Sequence, residues 1–188
     1  PKGVIHSHDT VMWSLLTGTA SLDFRLGDRF LNSLPLFHVG ALNPVLANAY
    51  AGGTTVLMRS FDPAESWRLI TEEKINSTLM VPAMLQFMQM TYNADVHDLS
   101  TLRWVLSGAA PVPVTLIEAY ADLGVEIHQV YGLTETAGPG CVIIGDDAKT
   151  HVGSTVRAFF HGQVRVIGED GSDCDPGESG EVLLAGPN

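Results

Sequence analysis

Apolar residues recur in this chain in two alternating rhythms. The opening Pro1-Lys-Gly-Val-Ile-His-Ser-His8 reads as a turn, a short strand and a helix entrance. Ser7, His8 or Asp9 can cap the helix-periodic stretch from Val11 to Leu22. Arg29 to Leu36 has the apolar content of a buried strand, and Gly40 then opens a helix that Gly52-Gly53 stops near Ala51. Thr54 to Met58 is β-branched and apolar, as strands are. Asp62-Pro-Ala-Glu65 is a capping box that starts a helix running to about Lys74. Thr78 to Val81 reads as a strand, Pro82 to about Tyr92 as a Met-rich helix, and Leu102 to Leu106 as another strand. Pro113 begins a helix closed by Gly124, and Val125 to Val130 is again a strand.

Strand and helix in strict alternation predict a parallel α/β sheet with right-handed crossovers. After Gly140 the rhythm changes. Val142 to Ile144, Gln163 to Ile167 and Glu181 to Leu184 are short strands separated by turn clusters, with almost no helical signal. The expected fold is therefore an α/β sandwich over residues 1–147, followed over 148–188 by the start of a small antiparallel, barrel-like β unit. Pro1 and Asn188 do not read as natural ends, so the chain is expected to be a piece of something longer.

Composition narrows the partners. A net charge of −11 with ten scattered basic residues argues against nucleic acid or an acidic membrane surface. No apolar run is long enough to span a bilayer. Cys141 and Cys174 lack metal-ligand spacing and read as reduced thiols of a cytoplasmic protein. His6 and His8 are two apart and could share a metal, but no carboxylate or Cys cluster accompanies them, and loop and cap roles fit better. Oligomeric state stays open, a homodimer included.

Candidate chemistry gathers at the strand exits. Leu36-Phe-His-Val-Gly40, Ser107-Gly-Ala-Ala-Pro111 and Tyr131-Gly-Leu-Thr-Glu135 each follow a strand. In a parallel α/β sheet the carboxyl ends of the strands lie along one rim, where ligands bind. Small residues there admit a planar ligand close to the backbone. Tyr131 can stack on a base, Thr134 and backbone N–H groups can take a phosphate, and Glu135 can bind Mg²⁺. Together these residues fit a nucleoside triphosphate, with ordinary structural turns as the alternative.

The motifs resemble those of the adenylate-forming acyl- and aryl-CoA synthetases, relatives of luciferases and of peptide-synthetase adenylation domains. Pro1-Lys-Gly-Val…Ser-His8 is similar to the tail of that family's phosphate loop. Leu34-Pro-Leu-Phe-His-Val-Gly40 resembles its substrate-pocket motif, and Ser107-Gly-Ala-Ala-Pro-Val-Pro113 its adenine-side turn. Gln129-Val-Tyr-Gly-Leu-Thr-Glu135 resembles its most recognisable motif. Val152-Gly-Ser154 and Gly177-Glu-Ser-Gly-Glu-Val182 resemble the elements that follow.

The resemblance implies that Glu135 holds Mg²⁺ against the phosphates of ATP and that Thr134 contacts the α-phosphate. It puts Tyr131, Gly132 and Leu133 beside the adenine, Gly108, Ala109 and Ala110 on its other side, and Gln129 within reach of the adenine amino group. His38 would lie between the acyl pocket and the route of CoA entry. Val39, Met84, Gly138 and Gly140 are candidates for acyl-pocket lining, Met84 having a plain core role as its alternative. Lys2 would belong to the phosphate loop, and Thr136 reads as structural. The implied reaction joins a carboxylic acid, with a fatty acid favoured, to AMP and then to CoA. The alternatives are a ligase that passes the adenylate to a carrier protein and a nucleotide-binding module without chemistry. The family's upstream Ser/Thr/Gly run, ribose-binding Asp and C-terminal lysine are not among these residues, so the 188 residues alone are expected to be inactive.

Overall fold

The computed structural model describes residues 3–151, 154 and 157–188, apart from the side chains of 145, 146 and 149. Helix α1 (His8–Ser21) precedes β1 (Arg29–Asn32), α2 (Val39–Tyr50), β2 (Thr54–Leu57), α3 (Pro63–Glu72) and β3 (Ser77–Leu79). Then come α4 (Pro82–Thr91), β4 (Trp104–Gly108), α5 (Val114–Asp122) and β5 (Glu126–Tyr131). The alternation read from the sequence is thus the alternation observed. The strands form one sheet in the order β2-β1-β3-β4-β5-β6, with β6 (Cys141–Ile143) closing the edge. All pairings are parallel except β5 with β6. A short helix α6 (Gly145–Thr150) follows, and β7 (Gln163–Ile167) pairs with β8 (Glu181–Ala185) as a separate antiparallel ribbon.

The starts of the helices are set locally. Ser7 caps α1, its Oγ accepting from the Thr10 N–H at 3.0 Å. The Asp62 carboxylate accepts from the Glu65 N–H at 2.7 Å, which is one half of the expected capping box; the Glu65 carboxylate turns to Arg68 and does not reach back to the cap. Other expectations shift. No strand forms at Val4 and Ile5: Ile5 lies 97% exposed, with no neighbouring strand to pair with. β1 stops at Asn32, where the Asn32 side-chain amide donates to the Leu34 carbonyl, and Pro35 has no N–H to continue a ladder. β3 ends at Leu79, because Val81 serves as the N-cap residue of α4. β4 lies two residues later than expected. Leu102 is held in a turn by its N–H to the Leu99 carbonyl, so Ser107 and Gly108 belong to the strand. Helix α6 was not legible, since its polar residues carry no apolar stripe.

Strand alternation divides the core between two faces. Leu31, Val105 and Ile127 pack with α3, α4 and α5 around Trp67, Leu85, Met88 and Tyr120. The polar ends of these rings are satisfied inside: Trp67 Nε1 donates to the Met88 carbonyl at 2.8 Å, and the Tyr120 hydroxyl to that of Leu85 at 2.9 Å. Burying such side chains stabilises the fold by about 2–3 kcal/mol each. On the opposite face Trp104, Leu106 and Val142 meet Leu22, Phe24 and Phe159 in a smaller cluster. At the starting edge of the sheet Arg103 clamps the nearly buried Asp28 through two hydrogen bonds, of 2.6 and 3.0 Å. The same guanidinium donates to the Asp23 carbonyl at 2.8 Å, which ties the α1–β1 connection to β4.

His128 belongs to this second face. Its ring stacks on Trp104, with centroids 5.7 Å apart, and its Nε2 lies 3.1 Å from a Glu126 carboxylate oxygen. Burial holds its pKa below the ordinary value of 6.5, against the opposing pull of Glu126. The folded protein therefore holds His128 in its neutral form to a lower pH than the unfolded chain, which protonates it below about 6.5. The stabilisation is complete above that value and is lost as pH falls through the lower folded value. Urea midpoints of the full-length protein should accordingly drop between about pH 7.5 and about pH 5.5. The drop should shrink in His128→Gln; an identical drop in both proteins would remove His128 from the account.

Candidate nucleotide and acyl site

The parallel strands β1, β3, β4 and β5 end along one edge, and the three strand-exit segments meet there. Residues 33–38 lead from β1 into α2, whose N-cap residue is His38. β4 gives way to Ala109 and Ala110, both exposed. β5 runs into Tyr131, Gly132, Leu133 and a 3₁₀ turn, Thr134–Thr136. A cavity of about 530 Å³ opens between this rim, the sheet face beneath it and helices α1 and α2. His38, Val39, Gly108, Ala109, Gly132, Thr134 and Gly138 line its upper part, and Leu22, Phe24, Leu79, Leu106, Val130 and Phe159 its walls.

The glycines have reasons internal to the protein. A Cβ on Gly132 would overlap the Gly138 carbonyl oxygen, and one on Gly108 would overlap the Val130 carbonyl oxygen. A Cβ on Gly140 would sit 2.8 Å from the Tyr131 carbonyl oxygen. The chain thus doubles back on itself between 131 and 140, and small residues are demanded by that closure before any ligand arrives. Ala109 adopts φ +65° and Ala137 φ +51°. Left-handed backbone at a residue with a Cβ costs on the order of 1–3 kcal/mol and persists only where the surroundings impose it.

Hydrogen bonds divide the loop into held and free residues. Thr136 Oγ1 accepts from the Leu133 N–H at 3.3 Å and lies 3.1 Å from the Leu133 carbonyl oxygen. The Ala137 N–H donates to the Thr134 carbonyl and the Gly138 N–H to that of Leu133, each at 3.0 Å. Two residues that the sequence reading passed over brace the turn from outside. Asn43 Nδ2 donates to the Ala137 carbonyl and to Ser14 Oγ, each at 2.9 Å. Asn188 Nδ2 donates to the Thr136 carbonyl at 2.8 Å and to that of Pro139 at 3.1 Å. Asn43 left one signal, a polar residue in a mostly apolar helix that it shares with Asn48; Asn188 left none. By contrast, Thr134 and Glu135 are exposed, and no described residue makes an ion pair or side-chain hydrogen bond with either.

The remaining expected residues fall in different places. Gln129 and Tyr131 share the sheet face opposite Val130, so they stand behind the cavity wall, not within it. Gln129 is 2% exposed, and its Nε2 lacks a hydrogen-bond partner among the described residues, as does the Oγ of its strand neighbour Ser107. A buried amide donor left unpaired beside a partly exposed tyrosine ring suits a polar planar ligand. Ala110 and Leu133 are exposed near the rim without lining the cavity. Gly140 is buried in the loop closure. Met84 is a correction to the expected acyl lining: it packs in the core with Trp67 and Leu85, because α4 covers the far face of the sheet. Lys2 lies outside the described residues, as do Val152 and Gly153 of the 152–154 motif. Among the described residues no group of three or more His, Cys, Asp or Glu is placed to hold a metal ion. A metal at Glu135 would need its other ligands from phosphate oxygens and water, as Mg²⁺ commonly takes them.

Fold and rim define an α/β ligand-binding domain with an apolar cavity beside a polar strand-end ledge. The chain belongs to the AMP-binding enzyme family, whose sequence pattern matches residues 1–188. It is 39% identical over 184 residues to the long-chain-fatty-acid–CoA ligase FadD13 of Mycobacterium tuberculosis, covering 98% of this chain and 36% of that protein. It is 37% identical to the indoleacetate–CoA ligase of Aromatoleum aromaticum, covering all of this chain and 37% of the relative. Among solved structures, the inhibitor-bound N-terminal domain of FACL13 from Mycobacterium tuberculosis superposes with a TM-score of 0.92 at 38% identity, over all of this chain and 47% of that one. The o-succinylbenzoate CoA synthetase MenE from Bacillus subtilis, in complex with ATP and magnesium, gives 0.91 at 28% identity, over all of this chain and 39% of that one. The chain therefore spans well under half the length of the curated relatives it matches.

The loop closure is open to test. Gly132→Ala should lower the melting temperature of the full-length protein and weaken AMP binding at least tenfold in calorimetric titration, because the new Cβ meets backbone that cannot rotate away. Unchanged melting and binding would show that the loop yields.

Proposed function

We propose that this protein activates a carboxylic acid with MgATP, forming an acyl-adenylate and pyrophosphate, and then passes the acyl group to the thiol of CoA. The observation that carries the reading is the pair Thr134 and Glu135. Both are unengaged by described residues, and Thr134 stands at the mouth of an apolar cavity. A fatty acid is the favoured substrate class, supported by the Leu, Val and Phe walls of the cavity and by the likeness to a long-chain-fatty-acid–CoA ligase.

On this reading residues 1–147 form the α/β portion and 148–188 a small β subdomain. Tyr131 and Gly132 border the adenine, Gly108 to Ala110 flank its other side, and Gln129 offers its buried amide to the base. Thr134 donates to the α-phosphate, and Lys2 joins the phosphate loop. Glu135 holds Mg²⁺, which supplies the positive charge that lets a carboxylate approach a polyanion. The cavity takes the acyl chain and keeps water from the labile mixed anhydride. His38, at the cavity mouth, faces the path by which CoA arrives. Cytoplasmic residence fits these substrates, and no helix among the described residues is long and apolar enough to cross a membrane.

ATP–pyrophosphate exchange by the full-length protein, across fatty and aryl acids with and without CoA, tests the reading. Exchange should depend on an acid, and AMP release should rise with CoA. Acid-dependent exchange indifferent to CoA would point to a carrier-protein acceptor, and ATP binding without exchange to a module without chemistry. Glu135→Ala should lower exchange at least about a hundredfold, the scale on which charge-stabilising groups act. Near-normal exchange would take the metal role from Glu135. The 188 residues alone should release no pyrophosphate, since the relatives' chains run far beyond the matched portion.

A further inference from the structure

Gly18 lies in the last half of α1, in the interior of a 14-residue helix. Glycine is the poorest helix former after proline, so its presence there calls for a reason. Backbone conformation does not supply one, because Gly18 is absent from the glycines with positive φ. Close packing does not supply one either. Gly18 is buried, yet a Cβ built on it would find nothing within 4 Å. A buried position that faces open space faces a cavity, and Gly18 lines the one beneath the rim.

Its depth follows from the helix. Ser14 is joined through Asn43 to the Ala137 carbonyl, at the level of the rim. Gly18 is one turn further along the same face, about 6 Å away. Leu22, the next residue on that face, and Phe24 beyond it also line the cavity. On the sheet side Leu106 lies two residues deeper than Gly108, the last residue of β4, at a similar remove from the rim. No Asp, Glu, Lys or Arg is among the described lining residues.

We propose that Gly18 determines how long an acid the cavity accepts: its missing side chain leaves the space through which the acyl chain passes one helical turn below the rim. The proposal rests on the acid-activating reading for its kinetic consequence, but not for its consequence in binding. A branched side chain such as Val or Leu at position 18 would stand in the path of the chain one helical turn below the rim, whereas the single methyl of alanine would not. A short acid would end before reaching it.

The test uses the full-length protein with straight-chain acids of increasing length. Gly18→Leu should lower kcat/KM at least tenfold for the longest acid the wild type activates and leave propionate within about twofold. Gly18→Ala should keep the wild-type preference and melt no lower, since alanine favours the helix and meets no neighbour. If Gly18→Leu does not fold, Gly18→Val reads the same ratio. A fluorescence titration with cis-parinarate gives a readout independent of turnover, in which the folded larger variant should bind at least tenfold more weakly. Loss of parinarate binding in that variant, with no exchange activity in the wild type, would sustain the role of Gly18 while sinking the ligase reading. An active wild type whose folded larger variant keeps both its length preference and its parinarate affinity would overturn the role of Gly18 alone. Equal losses for short and long acids would overturn it too, since they mark general damage.

Discussion

Gly132 rests against the carbonyl oxygen of Gly138, with no room for a Cβ between them. That contact lets the chain leave β5, make one 3₁₀ turn and come back as β6, antiparallel in an otherwise parallel sheet. The reversal closes the sheet edge beside the site and fixes where Thr134 and Glu135 stand. Thr136, Asn43 and Asn188 satisfy the polar backbone of the turn, so the neighbouring Thr134 and Glu135 side chains need not. The loop is braced from within, from α2 and by Asn188, and it presents two polar groups that no described residue engages.

The same strand alternation sorts the site into two compartments. Val130 faces the apolar cavity, while Gln129 and Tyr131, its immediate neighbours, face the other side. An apolar chain and a polar planar ring could thus be received on opposite sides of one strand end, with Gly108 and Gly132 at the division. Both glycines are required by contacts with protein backbone, so the narrow division exists whether or not a ligand is bound. On the reading proposed above, the bond to be made would lie at this division, between an acyl group on one side and an adenylate on the other.

Much of this was legible. Tyr131, Gly132, Thr134 and Glu135 form one short motif after an apolar run, and the exits of three predicted strands had to share a rim if the sheet was parallel. Met84 was less legible, because a helix rich in methionine looks the same whichever face of a sheet it covers. Its place was decided by the crossover from β3 to β4, which puts α4 beside α3 and α5. Helix α6 escaped because a short polar helix has no apolar periodicity to read. Asn188 escaped because its partners, the Thr136 and Pro139 carbonyls, lie far from it in the chain.

The sequence by itself determined most of the alternation of strands and helices and the parallel α/β class, and it marked the loop at which the candidate chemistry lies. These depend on periodicity and on short motifs, which are local. Only the tertiary structure decided which small residues bound a ligand space and which bound the protein's own backbone. In the sequence Gly18, Gly108, Gly132 and Gly140 are all simply glycine. In space Gly108, Gly132 and Gly140 meet backbone, and Gly18 meets nothing. The difference lies in what stands within 4 Å, and that is set by chain segments up to tens of residues away.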